Sequence, residues 1–337
     1  MAINEHGRNI IVIGASAGGV EALQGLFRSL PPDLPAVFLV VLHISPYTPS
    51  ALSSVLSRVT SMPVLSVIED QALQAATVYV ASADHHLVVV DGGLRVTRGP
   101  KECRSRPAID VLFRSASVIH EERVIGVVLS GALDDGTAGL WAIKDRNGLA
   151  MVQDPCEAGH NSMPKSAIQH VAVDFIGTVK NLASEIAKQV QIRIDPKKAH
   201  PANKRHLIES GISINGNGLG AGVMGLGKIS NYTCPDCHGV LVQIKEGSIV
   251  RFRCHTGHAF SVKALIADVN GAIDQGLWDT LRAVEERIML LRQMAGLAED
   301  DGNPDDAERY RTQATRAEER LIPLRELVLD PEFFKLE

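Results

Sequence analysis

The chain has 337 residues, of which 45% are hydrophobic and 22% charged, and a formal net charge of −5. These are ordinary values for a globular protein with room for two or three domains, and nothing in the charge balance supplies the global basic field of a nucleic-acid binder. No signal-peptide pattern opens the chain and no apolar run approaches the ~20 residues of a membrane helix, so the sequence predicts a cytoplasmic protein without membrane insertion.

From residue 9 to about 193, short apolar runs alternate with helical patterns. The first is the strongest: Ile10, Ile11, Val12 and Ile13 run into the small-residue turn Gly14-Ala15-Ser16-Ala17-Gly18-Gly19, and a helix follows. On that helix Val20, Leu23, Leu26, Phe27 and Leu30 share one face, and Pro31-Pro32 stops it. Thr48 and Pro49 read as the N-cap and first residue of a further helix. Strands are expected at 10–13, 37–42, 64–68, 78–81, 87–90, 94–97, 124–129, 150–153 and 174–176. Most are too uniformly apolar for a one-sided sheet and suit a mainly parallel sheet covered on both faces, that is, a doubly wound α/β domain. Asp91-Gly92-Gly93 adds an antiparallel hairpin.

Ligands of such sheets bind outside the carboxyl ends of the strands. Three polar features fall there: Ser16 after the first strand, His43 after the second, and Asp134-Asp135-Gly136 after the strand at 124–129. Serine, histidine and carboxylate share one joint use, in which the imidazole takes the hydroxyl proton and the carboxylate orients it. A serine at a strand-to-helix turn also lies near unpaired N–H groups that stabilise an anion. Each piece has a plainer reading. Glycine-rich turns after a first strand more often bind nucleotides; but this spacing is neither a dinucleotide fingerprint nor a P-loop, and the second strand ends in histidine rather than an acid. His43 alone could be a capping or core residue, and Asp135-Gly136 alone a helix start.

Five segments in order decide between these readings. They are Ile13-Gly14-Ala15-Ser16-Ala17-Gly18-Gly19, Val41-Leu42-His43-Ile44, Arg106-Pro107-Ala108-Ile109-Asp110-Val111-Leu112-Phe113-Arg114-Ser115-Ala116, Leu129-Ser130-Gly131-Ala132-Leu133-Asp134-Asp135-Gly136 and Met163-Pro164-Lys165-Ser166-Ala167-Ile168. Together they resemble the catalytic domain of the CheB family of protein-glutamate methylesterases. The resemblance implies hydrolysis of glutamyl methyl esters on chemoreceptors or similar signalling proteins, in many members also deamidation of receptor glutamines, with no cofactor for catalysis. It makes Ser16 the nucleophile, His43 the base and then acid, and Asp135, directly before Gly136, the orienting carboxylate. Backbone N–H groups of Ala17 and Ala132 become the oxyanion donors. Two departures stand out: Ala17 replaces a frequent threonine, and Ala132 a usual methionine. Family members usually carry an N-terminal receiver domain, for which the fifteen residues before Ser16 leave no room, so regulation is expected to come from elsewhere, to be absent, or to act through a partner. The competing expectation is a catalytically idle binding or scaffold module in a signalling complex.

The composition shifts after Arg193. Residues 1–194 are read as the catalytic domain, 195–230 as a glycine-rich linker, 231–265 as a zinc-ribbon-like module and 266–337 as a helical hairpin. Cys234-Pro235-Asp236-Cys237 and Cys254-His255-Thr256-Gly257-His258 flank two β-favouring runs with Glu246-Gly247 between them. That is the layout of a structural zinc site with Cys234, Cys237, Cys254 and His258 as ligands, His255 and His238 being the alternative fourth ligands. Arg251 and Arg253 are read as a solvated strand edge, not as a nucleic-acid contact. In the hairpin, Leu277, Leu281, Val284, Ile288 and Leu291 on one helix, and Ala307, Tyr310, Ala314, Ala317, Leu321, Leu324 and Val328 on the other, form seams at spacings of three and four. The seams suit packing on each other or self-association, and Asp300-Asp301-Gly302-Asn303-Pro304 breaks the two helices.

Overall fold

The computed structural model describes residues 7–47, 50–194 and 202–334. Thr48 and Pro49, expected to open a helix, lie outside them. The chain divides into two units, Met1–Leu265 and Ile266–Glu337.

The first unit is built on seven parallel strands in the order β3-β4-β2-β1-β7-β8-β9. These are β1 (Ile10–Ala15), β2 (Val37–Leu42), β3 (Val64–Val67), β4 (Thr77–Ala81), β7 (Val124–Val128), β8 (Leu149–Gln153) and β9 (Phe175–Gly177), while β5 (His86–Val90) and β6 (Gly93–Thr97) form the expected antiparallel hairpin. Every residue of β1 and β2 is buried, because alternate side chains feed two separate cores. Ile11, Ile13, Phe38 and Val40 pack with α1 (Gly19–Ser29) and α6 (Val179–Gln191). Ile10, Val12, Val37 and Leu39 pack with α3 (Ile109–His120), α4 (Thr137–Asp145) and α5 (Ser162–His170). The short α2 (Leu52–Leu56) joins the first core through Leu52 and Leu56.

Residues 202–227 correct the expectation of a linker. They form α7 (Lys204–Asn215) and the single turn α8 (Gly218–Ala221), and α7 packs against α3. Its buried positions are His206, Glu209, Ser210, Ile212 and Ser213. The helical period is there, but polar residues carry it.

A second sheet, β10-β11-β12-β13, follows: β10 (Lys228–Thr233), β11 (Val240–Glu246), β12 (Ile249–Cys254) and β13 (Ala259–Ser261). The hairpin turns at Gly247, φ +59°. Arg251 and Arg253 do not form a solvated edge: they are 4% and 0% exposed. They belong to a buried cluster in which three carboxylates, Glu102, Glu209 and Glu246, face three guanidiniums, Arg114, Arg251 and Arg253. Arg114 binds both oxygens of Glu102 at 2.8 and 2.7 Å, and Arg251 both oxygens of Glu209 at 2.7 and 2.9 Å. Burial by itself would raise the Glu209 carboxyl; Arg251, Arg114 and Arg253 overcome it and hold it well below the usual carboxylate range.

The helix α9 (Val262–Asp300) runs into the second unit, where α10 (Pro304–Leu329) returns after the expected break. Leu281, Ile288 and Leu291 pack with Ala314, Ala317, Leu321 and Val328. Met289, Ile322 and Leu329 remain exposed. No helix among the described residues is long and apolar enough to cross a membrane.

Candidate active site

The strand order β2-β1-β7 sets side by side the ends of the three strands that carry the polar features. Along β1 the register with β2 runs to Ala15↔Leu42, and His43 N–H continues it onto Ala15 O at 3.1 Å. Ser16 and His43 therefore leave neighbouring strands at the same edge. The chain crosses to the other side of β1 at β7, so this edge is also the topological switch point of the sheet.

His43 Nε2 lies 2.8 Å from Asp135 Oδ2, with side-chain exposures of 16% and 2%. The Asp135 carboxylate is held by more than the imidazole. Oδ2 also accepts Ile109 N–H at 2.7 Å, and Oδ1 accepts Asp110 N–H at 3.0 Å and Gly136 N–H at 2.9 Å. Ile109 and Asp110 open α3, so an acid from another segment sits where a helix end offers unpaired donors and positive potential. Asp134, its neighbour, points elsewhere, to Ser261 Oγ at 2.5 Å. The carboxylate facing His43 is thus that of Asp135.

The turn after β1 is fixed by a residue that reading the sequence passed over. Ser130 O accepts Ser16 N–H at 2.9 Å, and Ser130 Oγ donates to Ala17 O at 2.7 Å and accepts His160 N–H at 2.9 Å. Ser130 N–H in turn binds Gln153 Oε1 at 2.8 Å, whose amide nitrogen donates to Glu157 Oε2 at 2.9 Å. Ser130 was findable, being the first polar residue past β7. Gly18 explains the tight turn: its φ is +69° and a Cβ there would stand 2.7 Å from Ser130 Oγ. A cleft of about 570 Å³ opens at this point, lined by Gly18, Glu21, Gln153, Glu157 and His160. Ala132, on the loop after β7, is exposed, and neither it nor Ala17 donates its N–H to another backbone group among the described residues.

The family model described as CheB methylesterase matches residues 11–186. The chain belongs to the CheB methylesterase family. A Leptospira interrogans protein named as a protein-glutamate methylesterase/protein-glutamine glutaminase is 36% identical over 186 residues, which cover 55% of this chain and 94% of that one. A Methanosarcina mazei protein-glutamate methylesterase/protein-glutamine glutaminase is 34% identical, over 55% of this chain and 52% of its own length. The crystal structure of the Thermotoga maritima CheB methylesterase catalytic domain superposes with a TM-score of 0.52 at 27% identity, covering 53% of this chain and 97% of that domain.

Beyond the CheB-matched segment, Cys234, Cys237, Cys254 and His258 bring one ligand atom each within 4.8 Å of one another, a set that could hold a metal ion. Cys237 Sγ to Cys254 Sγ is 3.6 Å, and His258 Nδ1 is 3.7 and 3.6 Å from Cys234 Sγ and Cys254 Sγ. Tetrahedral bonds of about 2.3 Å to sulfur and about 2.0 Å to nitrogen place ligand atoms roughly 3.5–3.8 Å apart, so these edges fit such a site. His255 is not in the cluster; its ring lies against Gly239.

Proposed function

We propose that this chain hydrolyses glutamate methyl esters on a methylated signalling protein of the chemoreceptor type, with Ser16 as nucleophile, His43 as general base and then acid, and Asp135 as the orienting carboxylate. The observation that carries this reading is the 2.8 Å contact between His43 Nε2 and Asp135 Oδ2 at the strand end beside Ser16. An ionised carboxylate only accepts, so Nε2 bears the proton in the resting imidazole and Nδ1 is the basic nitrogen.

Ser16 Oγ attacks the ester carbonyl as its proton passes to His43. The imidazolium so formed is stabilised by Asp135, and the tetrahedral oxyanion by the N–H groups of Ala17 and Ala132. Collapse breaks the bond to the methoxy group, which leaves as methanol with the proton from His43. Water, activated by the same imidazole, then releases the glutamate carboxylate and restores Ser16. With glutamine as substrate the leaving group is ammonia and the remaining steps are unchanged, in keeping with the double names of the relatives.

Cys234, Cys237, Cys254 and His258 are proposed to hold a zinc ion. Four protein ligands close the coordination, so the ion would staple the β11–β12 hairpin and take no part in the chemistry.

The purified chain should release methanol from methylated receptor, and Ser16→Ala and His43→Ala should each abolish it while the circular dichroism spectrum is retained. Unchanged release in either variant would overturn the assignment.

A further inference from the structure

Residues far beyond the CheB-matched segment reach the turn that carries the orienting acid. Ser261, at the end of β13 and 7% exposed, donates its hydroxyl proton to Asp134 Oδ1 at 2.5 Å. Burial pushes the Asp134 carboxyl up, and the Ser261 hydrogen bond is the first of the contacts that oppose it. Asp134 is the first residue of a turn closed by Thr137 N–H on Asp134 O at 3.2 Å, and Asp135 lies inside that turn.

The strand that carries Ser261 is itself anchored. Ala259 N–H donates to Lys101 O at 3.1 Å, and Cys103 N–H donates to Ala259 O at 2.8 Å. Arg251 pairs in register with Ser261 across β12 and β13. Arg253, two residues further on, meets Glu102 at 2.8 Å, and Glu102 holds Arg114 on α3, whose first two amides bind Asp135. The second sheet therefore grips both elements that position Asp135: α3 through the buried ion pairs of β12, and the 134–137 turn through one hydroxyl of β13.

We propose that Ser261 is a positioning residue of the esterase site, holding the 134–137 turn from the hairpin side and so fixing the Asp135 carboxylate on which His43 is oriented. This rests on the roles proposed above for Ser16, His43 and Asp135. The Ser261 hydroxyl bonds Asp134 and the Ala264 amide, not His43 or Asp135, and so acts through Asp134. A carboxylate without its donor gains by turning toward water, and a displacement of the order of 1 Å at an orienting group costs up to ~10²-fold in rate.

The test uses the full chain and an alkyl fluorophosphonate, from which Ser16 Oγ displaces fluoride with His43 taking the proton, so no receptor needs to be identified. Wild type should be labelled at Ser16, and Ser16→Ala and His43→Ala should not be labelled. Ser261→Ala should react about tenfold more slowly, and Ser261→Thr, which restores the hydroxyl, at nearly the wild-type rate. The downfield proton resonance of His43 Nε2–H should broaden in Ser261→Ala and return in Ser261→Thr. Wild-type labelling and resonance in Ser261→Ala would overturn the positioning role while leaving the proposed triad intact. A slow Ser261→Thr with a wild-type resonance would reduce Ser261 to packing and overturn it as well. Absence of wild-type labelling, or labelling that survives Ser16→Ala, would overturn the triad, and the proposal with it.

Discussion

Asp110 and Asp135 hold each other's helices. Asp135, just ahead of α4, accepts the amides of Ile109 and Asp110 at the start of α3, while Asp110 Oδ1 accepts Gly136 N–H at 3.0 Å and Gly139 N–H at 2.6 Å at the start of α4. Neither helix can shift without straining the carboxylate that faces His43.

Asp135→Asn should therefore fold and fail. The amide keeps one acceptor oxygen for the α3 amides but presents no charge to an imidazolium and favours the wrong tautomer. By comparison with the same change in other triads, kcat should fall by about 10³–10⁴. Steady-state kinetics beside a thermal melt separates the chemical loss from unfolding.

Asp110 gives the opposite pattern. Burial, and then the nearby charge of Asp135, push its carboxyl well above the usual carboxylate range. A carboxyl raised by folding costs stability as pH climbs past its unfolded value, so the neutral isostere Asp110→Asn should be as stable as wild type or more so at pH 7. Asp110→Ala, which leaves the buried Gly139 amide without its acceptor while Gly136 N–H keeps Asp135 Oδ1, should lose about 1–2 kcal/mol. Urea titration of the three proteins distinguishes these outcomes.

Ser130→Ala should lower kcat by ~10- to 100-fold with little change in KM, because the hydroxyl holds Ala17 O and His160 N–H on either side of the turn that presents Ser16. A loss confined to KM would instead assign Ser130 to substrate binding.

Acid should weaken the fold through His86. Its ring is fully buried, with Nε2 donating to Pro100 O at 2.9 Å and Nδ1 accepting Ala108 N–H at 3.3 Å, and burial lowers its pKa to about 4. The unfolded chain binds a proton near pH 6.5 that the native ring refuses, so stability is full above that pH and falls as pH drops toward 4. Between pH 7 and pH 4.5 the loss attributable to His86 should be about 2–3 kcal/mol. It should disappear from the difference between urea midpoints at the two pH values in His86→Gln.

Metal removal should act on the hairpin. Elemental analysis should find one zinc per chain, and Cys237→Ser should lose it. The variant or the chelated protein should show faster amide exchange in β11 and β12 than the zinc-loaded chain, since a structural zinc contributes its binding energy to folding. Equal exchange with and without metal would remove the stapling role.

Much of the fold was readable because the central strands are apolar throughout. Runs such as Ile10-Ile11-Val12-Ile13 have one reading in an alternating βα pattern, and a polar residue directly after such a run, as with Ser16 and His43, marks the functional edge. What stayed hidden depends on pairing across long stretches of sequence. Helix α7 has its buried face at His206, Glu209, Ser210 and Ser213, the right spacing filled with residues that a search for apolar periodicity discards. Arg251 and Arg253 look like surface residues until Glu209 and Glu102 are brought to them. The choice between Asp134 and Asp135 was likewise invisible to spacing alone, because it depends on which carboxylate the start of α3 captures.

The buried charge cluster also bears on how this protein can be divided. A chain cut at residue 194, just past the segment that defines its family, would retain Glu102 and Arg114 but lose Glu209, Glu246, Arg251 and Arg253. One ion pair would remain of a balanced set of six, on a helix face newly open to water, and the first turn of that helix is the cradle of Asp135. The smallest piece that keeps this cluster and the Ser261 contact to Asp134 whole therefore extends through β13, and sequence exchange with shorter relatives would have to replace both sides of the cluster together.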